Sequence, residues 1–169
     1  MPSTILKNEQ ATIDAGAAFA KKLRGGDIVL LHGELGAGKT TFVKGIAKGL
    51  GIKENITSPT FTLMGVYNLS FPRMRESSKF SGSRVEAPGM TKKRRAPGMT
   101  EPLRLCHIDT YRLKNVDELR AIGVEDYLGE PNTITIIEWP EKIKPLLKGE
   151  KTISLAFAHE KDGTRSLVV

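Results

Sequence analysis

The run Gly33-Glu-Leu-Gly-Ala-Gly-Lys-Thr40 meets every fixed position of the pattern G-x-x-x-x-G-K-[ST], the signature of a loop that cradles phosphate. Glycines at Gly33, Gly36 and Gly38 open backbone conformations closed to other residues and let N–H groups come close to an anion. A helix starting near Lys39 adds the positive end of its dipole and its unpaired amides. The chemistry implied is binding of a nucleoside triphosphate with Mg²⁺. Gly33, Leu35, Gly36, Ala37 and Gly38 supply the backbone, Lys39 reaches the β- and γ-phosphates, the Thr40 hydroxyl ligates the metal, and Thr41 contacts the α-phosphate. A chance glycine-rich turn would need no particular neighbours, whereas here an apolar strand precedes the loop and an amphipathic helix follows it.

Such a loop requires an acid at the end of a neighbouring strand to hold the metal, directly or through water. Two acids qualify: Glu138 follows Ile134-Thr-Ile-Ile137, and Asp109 follows Leu105-Cys-His-Ile108. One could bind the metal while the other orients the attacking water; the sequence leaves the division open. Thr57-Ser-Pro-Thr60 brings three hydroxyls after the helix, as either a sensor of the γ-phosphate or a polar turn. His32, His107 and His159 stand isolated along the chain, and structural or surface roles suit them better than catalysis. The chain has no N-K-x-D element for guanine, and Asp126-Tyr-Leu-Gly129 spells D-x-x-G after a helix instead of a strand, so ATP is the expected nucleotide. A small-molecule kinase would share the loop. It would also need an arginine-rich lid, and the one arginine cluster falls in an unusual stretch described below, so hydrolysis coupled to a partner fits better.

The elements that must position these residues follow from hydrophobic period. Asn8 to Leu23 reads as a helix with Ala11, Ala15, Ala18, Phe19 and Leu23 on its inner stripe, stopped by Gly25-Gly26. Asp27–His32 is a strand buried on both faces, and Lys39–Leu50 a helix burying Phe42, Val43, Ile46, Ala47 and Leu50, capped by Gly51. Extended segments are expected over Phe61–Asn68, Leu103–Ile108 and Thr133–Ile137, with a helix broken near Gly123 over Val116–Leu128. Thr152–Ala158 and Arg165–Val169 form an edge hairpin around Lys161–Thr164. The fold class is therefore α/β, a P-loop NTPase-like three-layer sandwich with a mostly parallel central sheet and an antiparallel edge.

A length of 169 residues suggests one domain, interrupted at about 70–102 by a basic, low-complexity insertion. That stretch repeats Ala-Pro-Gly-Met-Thr at 87–91 and 96–100. Between Ser70 and Thr100 it holds eight basic and two acidic residues, so +6 of the net charge of +7 resides there and the rest is near neutral. It is expected to be mobile and to link two adjacent strands. The lone Cys106, the absence of a signal-like leader and the lack of a membrane-length apolar run all point to the cytoplasm and to no membrane.

The combined motifs resemble a known family. Gly33 to Thr41, Ser58-Pro-Thr-Phe61, Asp109-Thr-Tyr-Arg112 and Glu138-Trp-Pro140, in this order, are closely similar to the bacterial TsaE (YjeE-type) ATPases. So are Glu9-Gln-Ala-Thr12 and Glu118-Leu119 with Gly123 to Tyr127. The resemblance implies an ATPase that supports threonylcarbamoyladenosine modification of tRNA beside the anticodon and works with the TsaD and TsaB proteins. It implies Mg²⁺ on Thr40 and Glu138, Lys39 and Asp109 as catalytic residues, Glu9 near the base or ribose, Trp139 against the nucleotide and Arg165 near the phosphates. The insertion departs from the family's short connection; its charge would suit salt-sensitive contacts to tRNA or a partner, or a solvated loop.

Overall fold

Two strands set the frame because, apart from their last residues, they are wholly apolar or β-branched. The computed structural model describes residues 3–69 and 103–168. In it β1 (Ser3–Leu6), α1 (Glu9–Ala20), β2 (Ile28–His32), α2 (Lys39–Gly49), β3 (Met64–Asn68), β4 (Arg104–Asp109), α3 (Asp117–Ala121), β5 (Thr133–Glu138), β6 (Thr152–His159) and β7 (Arg165–Val168) follow in turn. Short 3₁₀ turns lie at Val124–Asp126, Pro140–Lys142 and Lys144–Leu147. All of β5 and the first four residues of β2 are buried, as strands covered on both faces must be.

The strands form one seven-stranded sheet in the order β1-β7-β6-β2-β5-β4-β3. Its centre is parallel: β2 pairs with both β5 and β6, and β4 with β5. Both flanks are antiparallel. Val29, Leu31, Leu105, Ile134 and Ile136 face Phe42, Val43 and Ile46 of α2. Ile28, Leu30, Cys106, Ile108 and Ile137 face the other way, against Leu119 of α3, Val124 and Ile143. The result is the three-layer α/β arrangement that the alternation of strands and helices implies. Each of these fully buried side chains contributes about 1.5–3 kcal/mol by leaving water, so the frame is fixed by burial along β2 and β5. Among the described residues no helix is long and apolar enough to cross a membrane.

Several expectations need correction. α1 ends at Ala20, because the residues after it tighten into turns, with Lys22 N–H bonded to the Phe19 carbonyl and Leu23 N–H to the Ala20 carbonyl. Its buried face is Thr12, Gly16 and Ala20, while Ala18 is exposed. The cause is a backbone-to-backbone helix crossing: a Cβ on Gly16 would lie 2.3 Å from the Phe42 carbonyl oxygen, and one on Gly45 would lie 2.2 Å from that of Ile13. β3 starts at Met64, three residues after Phe61, because residues 60–63 turn first. The β6–β7 hairpin is not the edge; β1, unrecognised in the sequence because three of its four residues are exposed, pairs outside β7. The insertion at Ser70–Pro102, and with it the expected mobility, lies outside the described residues; the strands on either side, β3 and β4, do pair antiparallel, with Asn68 opposite Arg104.

The glycine crossing carries a test. Gly16→Val should lower stability by roughly 1–3 kcal/mol through overpacking, read as a lower urea midpoint at unchanged slope. The surface change Ala18→Ser, on the opposite side of the helix from the contact, should leave the midpoint nearly unmoved.

Candidate functional site

Strand register delivers the two acids together. In the parallel centre Leu31 pairs with Glu138 and Glu138 with Asp109, one row across the carboxyl ends of β2, β5 and β4. Alternation puts Glu138 on the face of Ile134 and Ile136, and Asp109 on the face of Leu105, so both acids lie on the α2 side of the sheet. They are almost fully buried, at 3% and 2% exposure.

Directly after β2 the chain turns through the glycine-rich loop into α2. Gly33 has φ +134, and a Cβ there would sit 2.4 Å from the Phe157 carbonyl oxygen, so only glycine lets the loop leave the sheet this close to β6. Gly38 caps α2 in the left-handed region, at φ 98. The Lys39 ammonium donates to the carbonyls of Gly33 (2.7 Å) and Glu34 (2.8 Å) and lies 3.8 Å from the centre of the Trp139 ring. Two of its three hydrogens are thereby committed, which leaves one for an incoming anion. Burial pushes its pKa below the ordinary lysine value, against the opposing pull of Glu138 and Asp109.

Thr40, in the first turn of α2, donates to Glu138 Oε1 at 2.8 Å, with Oε2 at 3.2 Å. Asp109 is held from the other side. Ser58 and Thr60 hydroxyls each lie 2.6 Å from its Oδ2, and the Tyr111 amide donates to its Oδ1 at 2.9 Å. The two non-glycine residues with positive φ among the described residues flank these acids: Leu63 (φ 64) accepts the Asp109 amide on its carbonyl, and Trp139 (φ 58) follows Glu138. Thr110 donates its hydroxyl to the Trp139 carbonyl, which fastens that strained residue.

These groups line a cleft of about 680 Å³. Of the sequence-expected residues, Glu9, Leu35, Gly36, Gly38 and Lys39 border it, together with Thr40, Thr41, Asp109, Glu138, Trp139 and Arg165. Arg165 donates to the Gly36 carbonyl at 3.3 Å. Gly33 contributes instead the carbonyl that anchors Lys39, and Ala37 is fully buried beneath the loop with its amide bonded to the Glu34 carbonyl. Thr12, Arg112 and the exposed Phe61 also border the cleft, with the Arg112 guanidinium 4.3 Å over the Phe61 ring. The hydroxyls of the Ser58–Thr60 turn were legible, but their grip on Asp109 was not, since it needs the tertiary fold.

Two of the three histidines are not isolated. His107 Nε2 lies 2.9 Å from Glu138 Oε1, and His32 Nδ1 lies 3.0 Å from Glu141. The missed signal for His107 was the period of two: on β4 it shares a face with Asp109, next to the strand that ends in Glu138.

A mixed sheet with a parallel centre in three layers, with a glycine-rich turn between its first central strand and the next helix, defines an α/β fold of the P-loop-like class. A family model described as threonylcarbamoyl adenosine biosynthesis protein TsaE matches residues 6–77 and 81–167, and the chain belongs to this family. It is 32% identical over 165 residues to the tRNA threonylcarbamoyladenosine biosynthesis protein TsaE of Treponema pallidum, covering 98% of this chain and 97% of that protein. The TsaE protein of Bacillus subtilis is 35% identical over 135 residues, covering 80% of this chain and 62% of that protein. The crystal structure of Bacillus subtilis YdiB superposes with a TM-score of 0.62 at 25% identity, covering 98% of this chain and 82% of that one.

The buried lysine gives a signed pH dependence. Between its lowered folded-state pKa and the ordinary value near 10.5 the unfolded chain binds more protons, so this residue adds stability as pH rises through that window. The urea midpoint of the wild-type protein should therefore gain on that of Lys39→Met as pH is raised toward 10.5, and a constant difference would contradict the burial of the ammonium.

Proposed function

We propose that this chain binds ATP with Mg²⁺ and hydrolyses it in support of threonylcarbamoyladenosine formation on tRNA, acting with the TsaD–TsaB assembly in the cytoplasm. The observation that carries the reading is the 2.8 Å bond between the Thr40 hydroxyl and Glu138. It unites the last residue of the glycine-rich motif with a strand-end acid, the pair of oxygen ligands this chemistry needs.

The donor set fits the metal. Thr40, Glu138 and Asp109 offer oxygen alone, which suits a hard cation. Among the described residues no group of three or more His, Cys, Asp or Glu side chains is arranged to hold a metal. Mg²⁺ keeps waters and takes one or two carboxylates plus phosphate oxygens, a set these residues can complete. The Thr40 oxygen can offer a lone pair to a cation while its hydrogen stays on Glu138. The cleft volume falls in the range of small-molecule sites.

The metal would supply positive charge to the phosphate oxygens. The chain's own residues do the rest. Amides of the loop and of the α2 N-terminus bind the phosphates, and Lys39 adds charge from beneath while held over Trp139. Glu138 holds the metal side. Asp109, tied to Ser58 and Thr60, positions the 57–60 turn and a water at the same end of the sheet. Glu9 and Thr12, brought in by α1, border the part of the cleft suited to the nucleoside.

Removing the charge-assisted bonds of Lys39 should weaken ATP binding by about 10–100-fold. Calorimetry on Lys39→Ala measures this, and wild-type affinity would contradict the loop assignment. Phosphate release from ATP with TsaD and TsaB present and no other acceptor should fall by at least about 100-fold in Glu138→Gln. A requirement for a small-molecule acceptor would favour a kinase instead.

A further inference from the structure

On the reading of the cleft given above, we propose that His107 is a positioning residue that decides which oxygen of Glu138 is offered to the metal. The ring is wholly buried on β4, in register with Ile136, and its Nε2 lies 2.9 Å from Glu138 Oε1. Thr40 donates to that same oxygen at 2.8 Å and reaches Oε2 only at 3.2 Å. Oε1 therefore takes two short hydrogen bonds, one from the helix and one from the neighbouring strand. Oε2 keeps its lone pairs for a cation or a bound water.

The other ring nitrogen fixes the direction of the bond. His107 Nδ1 is buried with no hydrogen-bond partner among the described residues. A hydrogen on Nδ1 would be an orphan donor, at a cost of about 1–3 kcal/mol. The ring thus carries its hydrogen on Nε2 and donates it to Glu138. A leucine at this position would fill the same space with no buried polar atom left over. What imidazole adds is the bond to Glu138, and that bond acts on a carboxylate whose terminal torsion is otherwise soft.

Partners of this kind set ligand orientation, and losing them costs about 10–100-fold in metal affinity. The test reads the metal and not turnover: the Mg²⁺ concentration that gives half-maximal enhancement of ATP binding, followed by calorimetry with a non-hydrolysable ATP analogue. His107→Leu should raise that concentration by about 10–100-fold, and His107→Gln, which keeps an N–H donor near the position of Nε2, should restore most of the loss. Analogue affinity in EDTA should change by no more than about twofold in both variants, since the loop is untouched. A folded His107→Leu protein with the wild-type Mg²⁺ requirement would overturn the proposal. Wild-type protein with no Mg²⁺-dependent binding at all would instead defeat the nucleotide reading beneath it. Should His107→Leu fail to fold, ¹⁵N spectra of the wild-type ring decide the matter: hydrogen on Nε2, with a resonance that moves on adding Mg²⁺ and analogue together but not analogue in EDTA, is the expected result. Hydrogen on Nδ1 would refute it.

Discussion

The bond from the Thr40 hydroxyl to Glu138 joins groups 98 residues apart, and most of the fold can be understood as what is required to make it. Glu138 must end β5, and β5 must lie directly beside β2, since β2 delivers the loop that delivers Thr40. The register of Leu31 against Glu138 satisfies both conditions. A slip of one residue would turn every side chain of β5 to the opposite face, sending Glu138 into the layer of Ile137 and Ile108. Continuous burial along β5 forbids that slip only weakly, because isoleucines lie on both of its faces. The polar row at the strand ends, where Glu138, Asp109 and Thr40 find one another, supplies the discrimination that hydrophobic pattern lacks.

α1 serves the same end by a different interaction. Its helix is short and alanine-rich, and its approach to α2 rests on Gly16 and Gly45, where the two backbones touch. Larger residues would hold the helices apart and move Glu9 and Thr12 away from the cleft they border. Glycine lowers helix propensity by about 1 kcal/mol at each position, so local structure is weakened to let two helices meet. The first turn of α1 gains some of this back through the Asn8 side chain, which accepts the Ala11 amide at 2.8 Å.

What the sequence revealed follows the range of the interactions concerned. The glycine-rich loop, the strands that precede the acids and the helix after the loop are local patterns, and they stand where period and spacing put them. β1 escaped because an exposed four-residue edge strand has almost no pattern of its own; its pairing with β7 supplies the order. On the α1 stripe Ala15, Phe19 and Leu23 do pack inward and Ala18 does not, while the closest contact escaped notice because a glycine carries no hydrophobic signal. His107 and the Ser58–Thr60 turn were visible as residue types, but their partners come from other strands. Only parallel pairing of β4 with β5 sets His107 against Glu138.

The costs in this structure gather at one end of the sheet. Two buried carboxylates, a buried lysine, a histidine nitrogen without a partner among the described residues and two non-glycine residues in left-handed backbone all fall at the carboxyl ends of β2, β4 and β5 or in the turns beside them. Left-handed backbone at a bulky residue costs about 1–3 kcal/mol, and it persists at Trp139 because Thr110 grips its carbonyl while its own amide bonds to Leu31. That conformation turns the chain sharply after Glu138 and lays the indole against the Lys39 ammonium. Elsewhere in the same strands, Val29, Ile108 and Ile136 sit in an ordinary apolar interior. A chain selected for stability alone would have no reason to crowd its unfavourable groups into one cleft. On the function proposed above, those groups would share one use: a pre-arranged polar cavity that need not reorganise when a phosphate and a metal enter.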